Sequence, residues 1–244
     1  KGRSYTLRIN NETIGISAEV AIADHFNVFV DEFYRSRSNK QIVDSLGPVV
    51  KEAFNSEEIP TPIKLIARDQ NPVDFLLADG KTLSVKTNQR LQGKVAPQNV
   101  GQPTSDTYFT YFNHLYEDFV IPVEYHERAQ LFKNVTIDKI DEVMSIYWDN
   151  LFDCDYLIHF YNFLNSNREL TNYPLYKVYH HSLGQKFLKD KFTFTQTKTS
   201  WNESNTVKYS NVSIGEFQVH NNRNCFKFRF NMDGINRLIE SGEL

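Results

Sequence analysis

Two short apolar runs joined by Asp79-Gly80 constrain the fold of this chain more than any other feature. The runs occupy residues 73–78 and 82–87, and both are rich in residues that favour strands. An Asp-Gly pair between two such runs is a strong local signal for an antiparallel β-hairpin. The sequence therefore predicts two neighbouring strands of one sheet here.

The length of the hairpin loop decides which side chains share a face of these strands. A two-residue type I′ turn at 79–80 would place Asp74 opposite Val85. A three-residue loop at 78–80, with a left-handed glycine at its end, would instead pair Asp74 with Ser84. The two registers point the same side chains to different faces.

We favour the three-residue loop because it separates polar from apolar side chains. That register pairs Phe75 with Leu83, so both can lie on a buried face. It also places Asp74 and Ser84 on the opposite face, where Lys86 projects two residues further along its strand. An Asp, a Ser and a Lys would then converge on one side of the hairpin.

The remaining pattern predicts one mixed α/β domain with a central mixed sheet flanked by helices. Ser17 is expected to cap a first helix, and no internal repeat or linker divides the chain. We predict helices at 17–35, about 39–54, within about 105–165 and at about 233–240, and strands at 63–67, 73–78, 82–87, 192–197, 206–209, 215–220 and 225–231. Residues 88–103 are predicted to form a loop with at most one short strand.

Composition excludes several classes of protein. The 244 residues carry a net charge of −3, with 40% hydrophobic and 14% aromatic residues, as expected of a folded domain. Two cysteines, Cys154 and Cys225, are too few for a disulfide framework, and the histidines show no zinc spacing. The sequence also has no glycine-rich phosphate loop and no apolar run near the ~20 residues that span a bilayer.

Positive charge is concentrated toward the C-terminus. Residues 177–237 contain ten Lys or Arg and four Asp or Glu, although the whole chain is mildly acidic. Such a local excess suits a surface that binds a polyanion. It is equally typical of lysines that protect the edges of a sheet.

The cluster of Asp74, Ser84 and Lys86 has a plausible joint use. A carboxylate at a strand end can bind Mg²⁺, and a neighbouring lysine can orient or deprotonate a water molecule. A bound metal ion would stabilise charge that develops on a phosphate. The alternative is an ordinary polar surface on a hairpin.

These residues resemble the core of the PD-(D/E)xK nucleases, a superfamily best known from type II restriction endonucleases. The resemblance lies in Pro72-x-Asp74 and in an apolar strand ending at Lys86. It implies that Asp74 binds metal and that Lys86 is catalytic. Ser84 stands where the family usually has an acid, which leaves the number of metal ions open. Family members often add an acid from a preceding helix, and Glu19 is the best candidate for it. Glu19 could equally be a first-turn residue favoured by the helix dipole.

The resemblance covers residues 15–90 and implies a restriction-endonuclease-like fold. The implied protein is a Mg²⁺-dependent, cytoplasmic bacterial enzyme that cuts double-stranded DNA as a homodimer. Residues 105–244 would supply dimerisation and DNA contacts. We expect DNA contacts from amide-rich and basic residues after Lys86 and from a C-terminal hairpin, where Lys and Arg alternate with buried phenylalanines. These residues are Asn88, Gln89, Lys94, Gln98, Gln102, His220, Asn222, Arg223, Lys227 and Arg229.

Two other functions remain compatible with the sequence. The first is a noncatalytic DNA-binding protein with a nuclease-like fold, which Ser84 in place of an acid would favour. The second is an extracellular ligand-binding protein glycosylated at the sequons of Asn11, Asn134, Asn202 and Asn211.

Overall fold

A computed structural model describes residues 9–67, 71, 73–180 and 183–244 of the chain. The chain forms two compact units, one built from residues 1–93 and 154–181 and the other from residues 94–153 and 182–244. Each unit is thus made of two segments, and the segments of the two units alternate along the sequence. The prediction that the chain forms a single domain stays a prediction, and Pro72 lies outside the described residues.

The first unit combines helices with a mixed sheet. Its elements are α1 (Asn11–His25), α2 (Glu32–Ser36), α3 (Lys40–Ser56), β1 (Pro62–Leu65), β2 (Phe75–Leu77), β3 (Thr82–Thr87), β5 (Tyr156–Tyr161) and β6 (Leu175–His180). Among the described residues the sheet has the strand order β1-β2-β3-β5-β6, and β3 and β5 run parallel while the other pairs are antiparallel. A parallel pair requires a long connection, and residues 88–155 provide it.

The hairpin at 75–87 has the predicted three-residue register. Phe75 pairs with Leu83, and both side chains are fully buried in the core that also holds residues of α1 and α3. Gly80 has a φ of 83°, in the left-handed region that the predicted loop requires. The sequence therefore correctly predicted which face of β3 carries Ser84 and which carries Leu83.

The first predicted helix differs from the structure at both ends. Asn10 caps α1 by accepting a hydrogen bond from the Thr13 amide at 2.8 Å, so the helix begins before Ser17. Ser17 instead donates to the Thr13 carbonyl and accepts from the Asn39 amide. The helix ends at His25, and α2 is a separate single turn.

The second unit contains a β-sheet and four helices among its described residues. Its elements are β4 (Lys94–Val95), α4 (Ser105–Tyr111), α5 (Tyr125–Asp138), α6 (Ile140–Leu151), β7 (Phe192–Phe194), β8 (Ser204–Tyr209), β9 (Val212–Val219), β10 (Phe226–Asn231) and α7 (Met232–Glu240). The described strands pair antiparallel in the order β4-β10-β9-β8-β7. Aromatic rings fill the core, where Phe226 stacks on Phe132 and Phe228 on Tyr147.

The mixed α/β class is confirmed, but two details of the predicted architecture are wrong. The described strands form two sheets instead of one central sheet, because the C-terminal strands pair with one another and with β4. Residues 156–161 form a strand, although helices were predicted within about 105–165. Within the described residues, no helix is long and apolar enough to cross a membrane.

Candidate active site

The backbone of the hairpin fixes the position of Asp74 immediately before β2. The Asp74 amide donates to the Leu83 carbonyl at 2.9 Å, and the Asp74 carbonyl accepts from the Ile66 amide at 2.8 Å. One carboxylate oxygen, Oδ2, accepts from the Val85 amide at 2.6 Å. The residue is 7% exposed. Asp74 is therefore a buried carboxyl group anchored to the neighbouring strand.

Glu19 lies beside Asp74, although the two residues are far apart in sequence. It occupies the middle of α1 and is only 9% exposed. Its carboxyl group is within hydrogen-bonding reach of the Asp74 carboxyl group, and its Oε2 accepts a hydrogen bond from the hydroxyl of Tyr34. Because Glu19 is not in the first turn of the helix, the helix dipole does not explain its presence there.

The two carboxyl groups have perturbed acidities. Burial raises the pKa of Glu19 to about 8, and the negative charge of Asp74 acts in the same direction. Burial also raises the pKa of Asp74, while the Lys86 ammonium and the Val85 amide oppose that shift. Two carboxyl groups that share a buried site cannot both ionise easily. A cation placed between them would remove that penalty.

Lys86 and Ser84 complete the polar side of the hairpin. Burial lowers the pKa of Lys86, and the charge of Asp74 partly offsets this effect. Ser84 is 2% exposed, and its hydroxyl lies close enough to Asp74 to favour the ionised carboxylate. The Oγ atom nevertheless has no hydrogen-bond partner with good geometry. A buried hydroxyl without a partner is costly in a folded protein, so this atom is suited to a ligand.

These groups suit a hard cation that keeps some of its water ligands. They do not form a site in which the protein supplies every ligand. Mg²⁺ usually keeps several waters and binds through one or two carboxylates together with substrate phosphates. Asp74 and Glu19 offer such a pair, and the Ser84 hydroxyl lies on the same strand as Lys86. No group of three or more His, Cys, Asp or Glu side chains is arranged to hold a metal ion within the described parts of the chain.

Asn88 and Gln89 follow β3 directly, and their backbones are held by the sheet region. The Asn88 amide donates to the Phe160 carbonyl at 3.0 Å, and the Gln89 carbonyl accepts from the Leu164 amide at 2.8 Å. The Asn88 side chain contacts His159, with 2.7 Å between Oδ1 and the imidazole Nε2. Asn88 therefore has an internal partner, and its expected role in DNA binding stays a prediction.

The other residues expected to contact DNA lie in the second unit. Lys94 of β4 and Arg229 of β10 both form ion pairs with Glu216 of β9, at 3.2 and 3.1 Å. These two cations are therefore partly neutralised by one acid. Gln98 lies in the loop after β4, partly buried.

The predicted C-terminal hairpin is present as β9 and β10. The phenylalanines of β10 are fully buried, as predicted, and Lys227 lies on the other face. Burial and the nearby Arg229 charge lower the pKa of Lys227. Asn222 and Arg223 are exposed at the tip, whereas His220 is partly buried and its carbonyl accepts from Tyr125. Gln102 and Arg223 line a cavity of about 500 Å³ with Thr104, Asn224 and Cys225.

The structure thus brings Glu19, Asp74, Ser84 and Lys86 together, and the roles that the resemblance implies for them stay predictions. Sequence reasoning missed two polar residues of the same unit. Tyr34 hydrogen-bonds Glu19, and nothing in the local sequence around α2 indicates that contact. His159 pairs with Lys86 across β5 and β3, but its strand was interpreted as a helix.

Comparison with known proteins shows which kind of protein this chain is similar to. The chain is 34% identical over 165 residues to the type II restriction enzyme CviAII of Paramecium bursaria Chlorella virus 1. The aligned segment covers 66% of this chain and 42% of that enzyme, so the chain spans less than half the length of its relative. No protein-family model matches the chain.

Proposed function

We propose that this protein is a Mg²⁺-dependent, sequence-specific endonuclease that hydrolyses phosphodiester bonds of double-stranded DNA, as type II restriction enzymes do. The observation that carries the proposal is the buried pair of carboxyl groups, Glu19 and Asp74, beside Lys86. The similarity to a viral type II restriction enzyme supports the same reaction. The resemblance of Pro72-x-Asp74 and Ser84-x-Lys86 to the PD-(D/E)xK pattern also supports this reaction.

Asp74 and Glu19 would hold the metal ion. When bound, Mg²⁺ would supply positive charge that stabilises the phosphate as negative charge builds up in the transition state. Asp74 is ready for this role because its Oδ2 is fixed by the Val85 amide. Glu19 would supply a second oxygen from the helix.

Lys86 would act on the attacking water. Its lowered pKa makes the neutral amine easier to reach than in a solvent-exposed lysine. The neutral Nζ can accept a proton as the water oxygen forms its bond to phosphorus and the bond to the leaving oxygen breaks. The ammonium form can instead orient the water and stabilise the phosphate charge.

Ser84 would hydrogen-bond the phosphate or a water molecule of the metal ion. Its buried Oγ has no other partner with good geometry, and a hydroxyl can donate or accept. An uncharged residue here favours one metal ion over two. The same substitution keeps a noncatalytic DNA-binding protein as the second candidate.

Cutting both strands of a palindromic target would require a two-fold homodimer, with one site for each strand. The amide-rich segment after β3 and the tip of the β9–β10 hairpin would supply contacts to DNA. Arg223 and Gln102 are the best placed of these residues, because both line one cavity and can hydrogen-bond base edges.

The test is to incubate the purified protein with unmethylated phage DNA, with Mg²⁺ and separately with EDTA. We expect discrete fragments with Mg²⁺ alone. Lys86→Ala should lose cleavage but keep DNA binding. Lys81→Ala, which removes an exposed lysine of the same hairpin, is the matched control and should cleave normally.

Other outcomes would change the proposal. A smear of fragments would indicate a nuclease without sequence specificity. Intact DNA, together with specific binding, would favour the noncatalytic alternative. Normal cleavage by Lys86→Ala would remove the proposed role of that residue.

A further inference from the structure

A phenolic hydroxyl lies directly against the carboxyl pair. Tyr34 is 8% exposed, and its hydroxyl donates a hydrogen bond to Oε2 of Glu19. It approaches Glu19 from α2, whereas Asp74 approaches from the hairpin. Glu19 is thus contacted by elements on two sides.

The ring of Tyr34 is firmly held. It packs with Ile16 and Val20, which lie one turn before and one residue after Glu19 on α1. The amide of Tyr34 donates to the Asp31 side chain at 2.8 Å, which caps α2. The Arg37 guanidinium lies over the ring, 6.0 Å from its centre. The hydroxyl is therefore aimed by contacts that do not depend on Glu19.

A glutamate needs such a partner to bind a ligand well. The terminal torsion of a Glu side chain has a broad energy minimum, so an unsupported carboxylate rotates easily. A hydrogen bond to one oxygen fixes the plane of the carboxylate. Outer residues that orient a ligand in this way commonly have large effects on metal affinity.

We propose that Tyr34 is a positioning residue of this site, and that its hydroxyl orients the Glu19 carboxylate to receive the metal ion together with Asp74. This inference rests on the proposed function. It assigns Tyr34 no contact with the DNA or with the reacting atoms. Its effect on cleavage therefore passes through the metal ion.

The alternative is that the hydroxyl only attaches α2 to α1. A second contact already serves that purpose, because Arg35 of α2 forms two hydrogen bonds with Asp24 of α1, at 2.9 and 2.6 Å. This pair is partly exposed and does not involve Glu19. Removing it should loosen α2 without changing the partners of Glu19, so Arg35→Ala is a matched control.

The experiment compares the wild type, Tyr34→Phe and Arg35→Ala. Tyr34→Phe keeps the ring in its apolar cluster and removes only the hydroxyl. Mn²⁺ binding is measured by calorimetry on the protein without DNA, and the Mg²⁺ concentration for half-maximal cleavage is measured separately. Thermal unfolding in EDTA identifies any variant that fails to fold.

We expect Tyr34→Phe to weaken Mn²⁺ binding about tenfold, the lower end of the range for such outer residues. The half-maximal Mg²⁺ concentration should rise similarly, while excess Mg²⁺ restores most of the cleavage rate. Arg35→Ala should bind Mn²⁺ like the wild type, even if it unfolds at a lower temperature.

Two results would overturn the inference while leaving the proposed function intact. Tyr34→Phe could bind Mn²⁺ as tightly as the wild type, or Arg35→Ala could show the same loss of affinity. In the second case the hydroxyl would merely attach α2. A wild type that neither binds Mn²⁺ nor needs a divalent ion for cleavage would contradict the proposed function as well.

Discussion

In the first unit, two buried acids and a partly buried lysine lie together, and their pKa values are shifted mainly by burial. In the second unit, Lys94 and Arg229 lie nearer the surface and share Glu216 as their counterion. Burying ionisable groups together is costly unless a ligand compensates. Partly exposed ion pairs contribute little to either stability or chemistry.

This difference indicates where chemistry and binding are divided in the chain. A cluster of buried groups with perturbed pKa values is typical of an active site. Partly exposed cations on a hairpin are typical of phosphate contacts, which set affinity. Substitutions in the first unit should therefore change mainly the cleavage rate, and substitutions in the second unit mainly DNA binding.

The largest expected difference is between two lysines. Lys86→Ala should lower the cleavage rate by about a thousandfold or more, because it removes a charge and a proton acceptor from the reacting site. Lys227→Ala should mainly weaken DNA binding and reduce its salt dependence, as expected for a phosphate contact. Single-turnover cleavage and binding titrations at several salt concentrations measure both. Equal losses of cleavage rate in the two variants would contradict the division of chemistry and binding between the two regions.

Glu19→Gln should change how stability depends on pH. The folded-state pKa of Glu19 is raised to about 8 from 4.5. The stability that Glu19 contributes is therefore fully present below its pKa in the unfolded chain, and it is lost as the pH rises through the folded-state pKa of about 8. An uncharged amide removes that loss, so the variant should unfold at a higher temperature than the wild type in alkaline buffer with EDTA. A wild-type stability that stays constant over this pH range would contradict the assignment.

His159 should show the opposite slope. Burial lowers its pKa to about 4 from 6.5, so the folded state resists protonation that the unfolded chain accepts. The stability that His159 contributes is thus fully present above the unfolded-state pKa of 6.5. It falls by at most about 3 kcal/mol as the pH drops from there to about 4. Denaturant unfolding of His159→Gln should show a flatter pH dependence. His180→Gln, which replaces an exposed histidine on the next strand, is the matched control.

The smallest expected effect is at Glu216. Glu216→Gln removes the counterion of Lys94 and Arg229, so nonspecific DNA binding should become a few-fold tighter and more sensitive to salt. The free energy of unfolding of this variant should differ from that of the wild type by less than about 1 kcal/mol, as expected for the loss of partly exposed ion pairs. Weaker DNA binding would show that these cations do not face DNA.

The hairpin was the most predictable part of the molecule, because its signals were local. Asp79-Gly80 fixed the turn, and the alternation of Phe75, Leu83 and Ser84 fixed the register. The strand that contains His159 was harder, since a short apolar run with many aromatics fits either a helix or a buried strand. Only the pairing of β5 with β3 shows that this run is a strand.

The site was predictable only in part, because only some of its contacts are local in the sequence. Asp74, Ser84 and Lys86 lie on one hairpin, so their proximity followed from its register. Glu19 was suggested by the resemblance, although the helix begins at Asn11 under an Asn10 cap instead of at Ser17. The contact of Tyr34 with Glu19 depends on how α2 packs on α1, which no local pattern encodes.

The most direct test of the central claim is single-turnover cleavage of unmethylated DNA with Mg²⁺ by Asp74→Asn. The amide can still accept from the Val85 amide, so the change mainly removes the carboxylate charge. Asp79→Asn, at the exposed turn of the same hairpin, is the matched control. We expect Asp74→Asn to lose at least about a thousandfold in rate while Asp79→Asn cleaves normally. Cleavage by Asp74→Asn at the wild-type rate would contradict the assignment of this carboxyl pair as the active site.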